Sequence, residues 1–507
     1  MTDTADPGKT IALNSIFLYC RKVVQIIIGF YASRLLLERL GEDGFGLYGL
    51  VGSVIVLFAA LRSVFSASIM RYVNIAKSTG DADAVGKVFS MGVTIQLALA
   101  LVFCAAVETG GLFIIPHLNI PSEDVADAWW VFHLSLLSVV AIMLTVPYES
   151  LIVSNQRLGA LAVLSVFESV LKLGVVILLV VWTADRVVWY ALLMLGVSVV
   201  VRFCYSVYCR RTFGREARFR IVRDRKMYRE MTVFAGWNFL GGTGNSIATS
   251  GINFVLNIFG GLPLNTARGI ALQVEANVDQ FFFDISASFS PRSMMSYARG
   301  ETESFYKLMF WNSKVNFFVS SVLSFSLIYL MYPVLHLWLG DVPAWTTGFT
   351  CLILIHTMLG SLDDPIKTLF HASGRMKRYQ IMEFCCMVAV VPLAWLALHL
   401  GAPYYSVFIV LVVLEFLCLA GMILLARRQL GFEAGRYCRY VLSRVALTSV
   451  LLAAGYVISL YAIPSDLDSL ATLCVAPCVA LVVALVVFFS LFNGAERMRI
   501  VSLIKSR

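Results

Sequence analysis

Residues 187–229 read VVWYALLMLGVSVVVRFCYSVYCRRTFGREARFRIVRDRKMYR. The first half is apolar for about 20 residues, interrupted only by Arg202, which is long enough as an α-helix to cross a ~30 Å hydrocarbon core. The second half, from Arg210 to Arg229, carries nine basic residues. An apolar run that ends on a dense basic segment is a membrane span with its exit in the cytoplasm, where Lys and Arg accumulate. The basic stretch itself reads as an anchor on anionic headgroups, with no nucleic-acid partner implied.

The same pattern recurs along all 507 residues. The chain is 59% hydrophobic and 14% charged, with mean hydropathy +0.82; soluble domains carry about 25% charged residues. Spans are expected at 11–37, 46–70, 88–115, 126–147, 158–183, 187–207, 231–258, 266–290, 306–332, 346–370, 381–399, 405–426, 445–463 and 470–492. With the N-terminus inside, 29 basic residues fall in cytoplasmic segments and two, Arg39 and Arg186, in external loops. Both termini are therefore expected in the cytoplasm, and the net charge of +9 follows from topology. The segment Met1–Lys9 is polar and does not read as a cleavable signal. The eleven cysteines lie in spans or on the cytoplasmic side, so no disulfide framework is expected. External loops are short, the longest near Pro116–Asp127 and Tyr332–Trp345, which leaves no room for a catalytic domain. His117, His133, His336, His356, His371 and His399 have no metal-ligand spacing, and no metal or cofactor is implied.

A shift of 220 positions aligns 41–87 on 261–307 with eight identities, among them Gly41/Gly261, Gly49/Gly269, Ser66/Ser286 and Lys87/Lys307. The expected fold is thus an all-α polytopic membrane protein of about 14 transmembrane helices. It divides into a six-helix bundle over 1–207, a basic linker over 208–230, a second six-helix bundle over 231–426, and two added helices over 427–507. The bundles are related by a pseudo-two-fold axis, and transporters so built place the substrate path between their halves.

Nine basic residues remain inside spans, where a cation costs at least ~2.5 kcal/mol at the bilayer centre. Lys172 follows Glu168 by four residues, the order of a helical ion pair. Arg202 and Lys314 lie near the cytoplasmic edge and Arg34 near the external one, within reach of the interface by snorkelling. Arg21 shares a helical face with Asn14 and Gln25. Arg62 has no acidic neighbour in sequence. Arg268, Glu275 and Asp279 fall on one face of the eighth span. Asp363 and Asp364 precede Lys367 beside Pro365, where a broken helix would free backbone carbonyls. For Arg21, Arg62, Arg268 and Lys367 two readings stay open, cavity lining and buried structural pairing. The seventh span carries Gly236, Gly241, Gly242, Gly244 and Gly251 with Asn238, Asn245 and Asn253, which suits close packing or a bending gate.

Several motifs run in a fixed order: Arg34, Leu40-Gly41, Tyr48-Gly49 and Arg71; Val146-Pro147-Tyr148; Gly236-Trp237-Asn238; then Asn265, Ala267-Arg268-Gly269-Ile270-Ala271, Gln273-Val274, Ser290-Pro291 and Ser296-Tyr297-Ala298-Arg299-Gly300. Over about residues 14–430 the chain resembles polysaccharide-export flippases of the multidrug/oligosaccharidyl-lipid/polysaccharide superfamily. That resemblance implies a transporter in the bacterial plasma membrane, working by alternating access. It implies a cationic cavity for a polyprenyl-diphosphate-linked oligosaccharide, with Arg34 and Arg268 in matching motifs. Arg21, Arg62 and Lys367 join the candidate cavity on the charge argument alone, and Glu275, Asp279, Asp363 and Asp364 are candidates for ion coupling. Membrane lipids, and a polysaccharide polymerase and glycosyltransferases, are the partners implied. Two rivals share the fold, a multidrug or cation antiporter and a lipid II flippase. A membrane polymerase or ligase would need an external catalytic loop that this sequence lacks.

Overall fold

The computed structural model describes residues 24–50, 66, 69–70, 72–73, 76–77, 82–122, 124–155, 157–179, 186–462 and 469–498. Of these, 82, 158, 233–243, 282–285, 287–288, 290–292, 294–295, 298, 460–462, 469–470 and 472–473 are described by backbone alone. Most of the expected second span, with Arg62 and Arg71, lies outside the described residues. So do Arg21 and the side chains of Gly236, Asn238, Gly241 and Gly242.

Two compact units divide the chain, residues 1–266 and 267–507. In the first, helix α1 covers 24–50, interrupted by a left-handed Gly41 at φ 72°. There follow α2 (Ala82–Ile114), α3 (Val125–Met143), α4 (Val146–Ser154), α5 (Leu158–Leu178), α6 (Arg186–Phe213), α7 (Arg225–Gly260) and the first turn of α8 (Leu262–Ala298). Gly41 and Gly261, partners in the internal repeat, both take positive φ, 72° and 75°. Only glycine reaches that region without a steric penalty, so the repeat preserves a turn at both positions. The α7–α8 turn is locked by buried amides: Asn265 Nδ2 donates to the Asn253 carbonyl at 2.8 Å and Asn257 Nδ2 to Asn265 Oδ1 at 3.2 Å. Its core joins Leu36, Val73, Phe89, Met91, Tyr148, Leu151 and Tyr205.

The second unit continues α8 and adds α9 (Thr302–Tyr329), α10 (Met331–Leu339), α11 (Thr346–Gly360), α12 (Asp363–Ser373), α13 (Lys377–His399), α14 (Ser406–Leu430), α15 (Ala434–Tyr437), α16 (Ser443–Ala462) and α17 (Ser469–Leu491). The added helices α16 and α17 pack on α9, and Phe317, Met358, Tyr437, Val487 and Phe492 share its core. Among the described residues there is no strand. Among the described residues, eight helical stretches are long and apolar enough to cross a membrane, or nine if α9 and α10, bent by 77°, form one span.

Large apolar side chains stay exposed along whole helical faces, including Leu97 and Leu101 on α2, Val163, Phe167 and Val170 on α5, and Ile409, Val413 and Phe416 on α14. Patches of that extent need an apolar solvent. The chain is a multi-pass membrane protein.

Two expectations are corrected. The loop expected over Tyr332–Trp345 is mostly the short helix α10; Pro333 sits in its first turn, where no backbone N–H is needed. The expected tenth span, 346–370, is two helices: α11 ends at Gly360 and α12 begins at Asp363, with Pro365 in its first turn.

Candidate functional site: a buried ionic network in the C-terminal unit

Five helices of the second unit bring charged side chains together. Helix α8 supplies Arg268, Glu275 and Asp279; α11 supplies His356; α12 supplies Asp363, Asp364 and Lys367; α13 supplies Glu383; α14 supplies Glu415. The His356 ring bridges two helices, with Nδ1 3.3 Å from Glu275 Oε1 and Nε2 3.7 Å from Glu415 Oε2. Asp279 lies in the field of Glu275, His356 and Glu415. The break between α11 and α12 sets Asp363 at the start of a new helix, where the backbone dipole favours a carboxylate. One turn on, Lys367 Nζ reaches Glu383 Oε1 at 2.7 Å and Asp363 Oδ2 at 3.7 Å. The Ser286 hydroxyl donates to the Asp364 carboxylate.

The balance is acidic. Among the described residues, six carboxylates (Glu275, Asp279, Asp363, Asp364, Glu383, Glu415) face two permanent cations, Arg268 and Lys367, and two imidazoles, His356 and His371. The side chains of Glu415 and Asp363 are only 6% and 4% exposed, so water screens neither well. Charged groups this deep require partners, protons or counter-ions. Among the described residues, no group of three or more His, Cys, Asp or Glu is arranged to hold a metal ion.

The other candidates are placed as follows. Arg268 is buried on α8 and interacts electrostatically with Glu275, seven residues on. Lys367 is partly buried and pairs with Glu383 and Asp363. Arg34 is exposed on α1. Arg21 and Arg62 lie outside the described residues, though Gln25, expected on the face of Arg21, donates to the Ser165 carbonyl and to Ser169 Oγ on α5, both at 3.3 Å. Lys172 pairs with Glu168 at 2.6 Å, as its spacing implies.

Snorkelling proves unnecessary for two cations. Arg202 lies over the Tyr148 ring, 4.3 Å from its centroid, a cation–π contact. Lys314 is buried and its ammonium donates to both carboxylate oxygens of Glu496, at 2.8 and 2.9 Å. Sequence reasoning missed His356, Glu383 and Glu415 as members of the network. The one signal available was their ionisable character within apolar runs, which marks a functional or paired group by default.

The fold is that of a polytopic α-helical membrane protein with a buried ionic network in its C-terminal unit. In fold the chain is similar to the lipid II flippase MurJ in its inward closed conformation, with TM-score 0.66 at 14% identity over 94% of this chain and 98% of that one. It is also similar to a multidrug resistance MATE family transporter of the MOP superfamily in its inward-facing conformation, with TM-score 0.65 at 15% identity over 82% and 96%. A third likeness, TM-score 0.62 at 16% identity over 84% and 96%, is to a MOP superfamily transporter from Pyrococcus furiosus whose binding pocket has reversed polarity. No curated protein matches the chain. Residues 11–262 match the family described as polysaccharide biosynthesis protein. Just under half of the chain thus carries the sequence pattern of that family, on a fold shared with transporters of the MOP superfamily.

Proposed function

We propose that this protein flips a polyprenyl-diphosphate-linked oligosaccharide from the cytoplasmic to the outer leaflet of the bacterial plasma membrane, for surface polysaccharide biosynthesis. The observation that carries the reading is the match of residues 11–262 to the polysaccharide biosynthesis family, on a transporter fold. The charge asymmetry of the loops supports cytoplasmic termini. The chemistry fits a flippase: a polyprenyl tail can stay in lipid, whereas each unsatisfied polar group of the diphosphate and sugars costs several kcal/mol in hydrocarbon. Arg21, Arg34, Arg62 and Arg268 are the cations proposed to hold the diphosphate, and Lys367 serves chiefly as a partner of Glu383 and Asp363. An inside-negative potential favours outward movement of two phosphate charges by ~4–5 kcal/mol per 100 mV. The acid-rich network around His356 is the proposed place where a proton or monovalent cation couples to the alternation between inward and outward states, through Glu275, Asp279, Asp363 and Asp364.

The same acid excess favours a second reading, a cation or multidrug antiporter. Lipid II is an alternative cargo for the first. Complementation separates them. In a strain that has lost export of its surface polysaccharide, the wild-type chain restores export, and Arg62→Ala or Arg268→Ala abolishes it while the protein stays in the membrane. Full export by both variants would remove the diphosphate-binding role, and drug resistance without export would establish the antiporter.

A further inference from the structure

Helix α9 carries a ridge of polar side chains at four-residue spacing, Asn312, Asn316, Ser320 and Ser324, all buried at 3% exposure or less. A buried serine within a helix ordinarily turns its hydroxyl back onto the carbonyl four residues earlier. On this same helix Ser313 does so to Met309, Ser321 to Phe317 and Ser326 to Val322. Ser320 and Ser324 do not, and among the described residues their hydroxyls have no hydrogen-bond partner. Asn316 has none for either end of its amide, and Asn312 none for its carbonyl oxygen. The ridge spans ~18 Å of helix.

Its neighbours repeat the pattern. Helix α11 packs on α9 and carries buried Thr346, whose hydroxyl is likewise without a partner among the described residues. At the other end, Asn312 Nδ2 donates to Ser286 Oγ at 3.2 Å, and Ser286 donates onward to Asp364. Beside it, the buried Asp363 carboxylate faces Glu415 and Lys367. Buried side-chain polar atoms almost always have a partner, from protein or ordered water. One orphan is an exception; a continuous row of them, ending at a carboxylate pair, is a lining.

We propose that Asn312, Asn316, Ser320 and Ser324 line a file of bound water inside the C-terminal unit, running along α9 to Asp363 and Asp364. The file gives water and protons a route to these carboxylates wholly within one unit, independent of any cargo path. It assigns a ligand, water, to side chains that neither the ionic network nor the transport reading uses.

The experiment uses the full-length protein in liposomes, with single substitutions Ser320→Cys, Ser324→Cys and, as the buried control with a satisfied hydroxyl, Ser321→Cys. Each is exposed to the small cationic thiol reagent methanethiosulfonate ethylammonium, and modification is read at each position by peptide mass spectrometry, so native cysteines do not interfere. Thiol modification follows water access, and the first two positions react about tenfold faster than the control. Equal rates at all three positions would overturn the file. Asn316→Leu gives a second measurement. A dry orphan amide is better replaced by an apolar side chain, so a raised thermal midpoint overturns the proposal; a hydrated one loses its water contacts, so the proposal expects a lowered midpoint. Neither readout involves a transported substrate, so the outcome is separate from that of the flippase reading.

Discussion

Replacing Lys367 by Met removes the cation that sits between a buried carboxylate, Asp363, and a partly buried one, Glu383. Its Nζ lies 2.7 Å from Glu383 and 3.7 Å from Asp363. At an effective dielectric of about 20 the gross Coulomb terms are about 6 and about 4.5 kcal/mol. Desolvation of the three groups offsets much of this, and breaking a buried pair from one side costs a net ~3–5 kcal/mol because the partner charge is stranded. Asp363 is nearly sealed and next to Glu415, so relaxation toward water gives little relief. The assay is equilibrium unfolding of the purified protein in bicelles. Lys367→Met is expected to lose ~3–5 kcal/mol, and the double variant Lys367→Met/Glu383→Leu to recover at least about half of that, a coupling typical of contacting residues. A loss below ~1 kcal/mol, or additive losses in the double variant, would refute the reasoning that these charges are mutually dependent.

Three further outcomes are expected. Lys314→Met strands Glu496, which is a quarter exposed, and costs ~2–4 kcal/mol; the double change with Glu496→Gln restores stability in the same unfolding assay. Gly46→Ala places a Cβ 2.4 Å from the Leu262 carbonyl oxygen, a backbone atom that cannot move alone, and lowers stability by ~1–3 kcal/mol as judged by the thermal midpoint. The Glu303 carboxyl is held below the ordinary glutamate range, first by its hydrogen bond from Arg436. A depressed carboxyl contributes stability that is present above its unfolded pKa of ~4.3 and is lost as pH falls through the folded value. The thermal advantage of wild type over Glu303→Gln is therefore small but constant at neutral pH and disappears only below about pH 4. Loss of the advantage between pH 7 and 5 would contradict the pairing.

How far the sequence could be read depended on how local each signal was. A span announces itself within about 20 residues of apolar chain, so helices such as α2, α5, α6, α13 and α14 fall within a few residues of where hydropathy puts them. A pair one turn apart was equally visible, Glu168 with Lys172. The loop after Tyr332 is mostly helix α10, whose nine residues are too few to register as a span. The rest of the site was illegible for a geometric reason. His356 joins Glu275, 81 positions earlier, to Glu415, and Lys314 meets Glu496 across 182 positions. No periodicity within a helix reports which helices will pack together. The intramembrane arginines of the sequence suggest a basic lining, whereas the C-terminal unit gathers an excess of acids that only the packing of α8, α11, α12, α13 and α14 brings together.

The central claim is movement of a lipid-linked glycan between leaflets, and the most direct measurement is flipping itself. Liposomes containing the purified protein and a fluorescent polyprenyl-diphosphate oligosaccharide, with dye quenched from outside, report transfer between leaflets. The account predicts protein-dependent transfer that accelerates when an inside-negative potential is imposed, and that Arg268→Ala abolishes. Transfer no faster than in protein-free liposomes, in vesicles where the same protein expels a cationic drug, would contradict it.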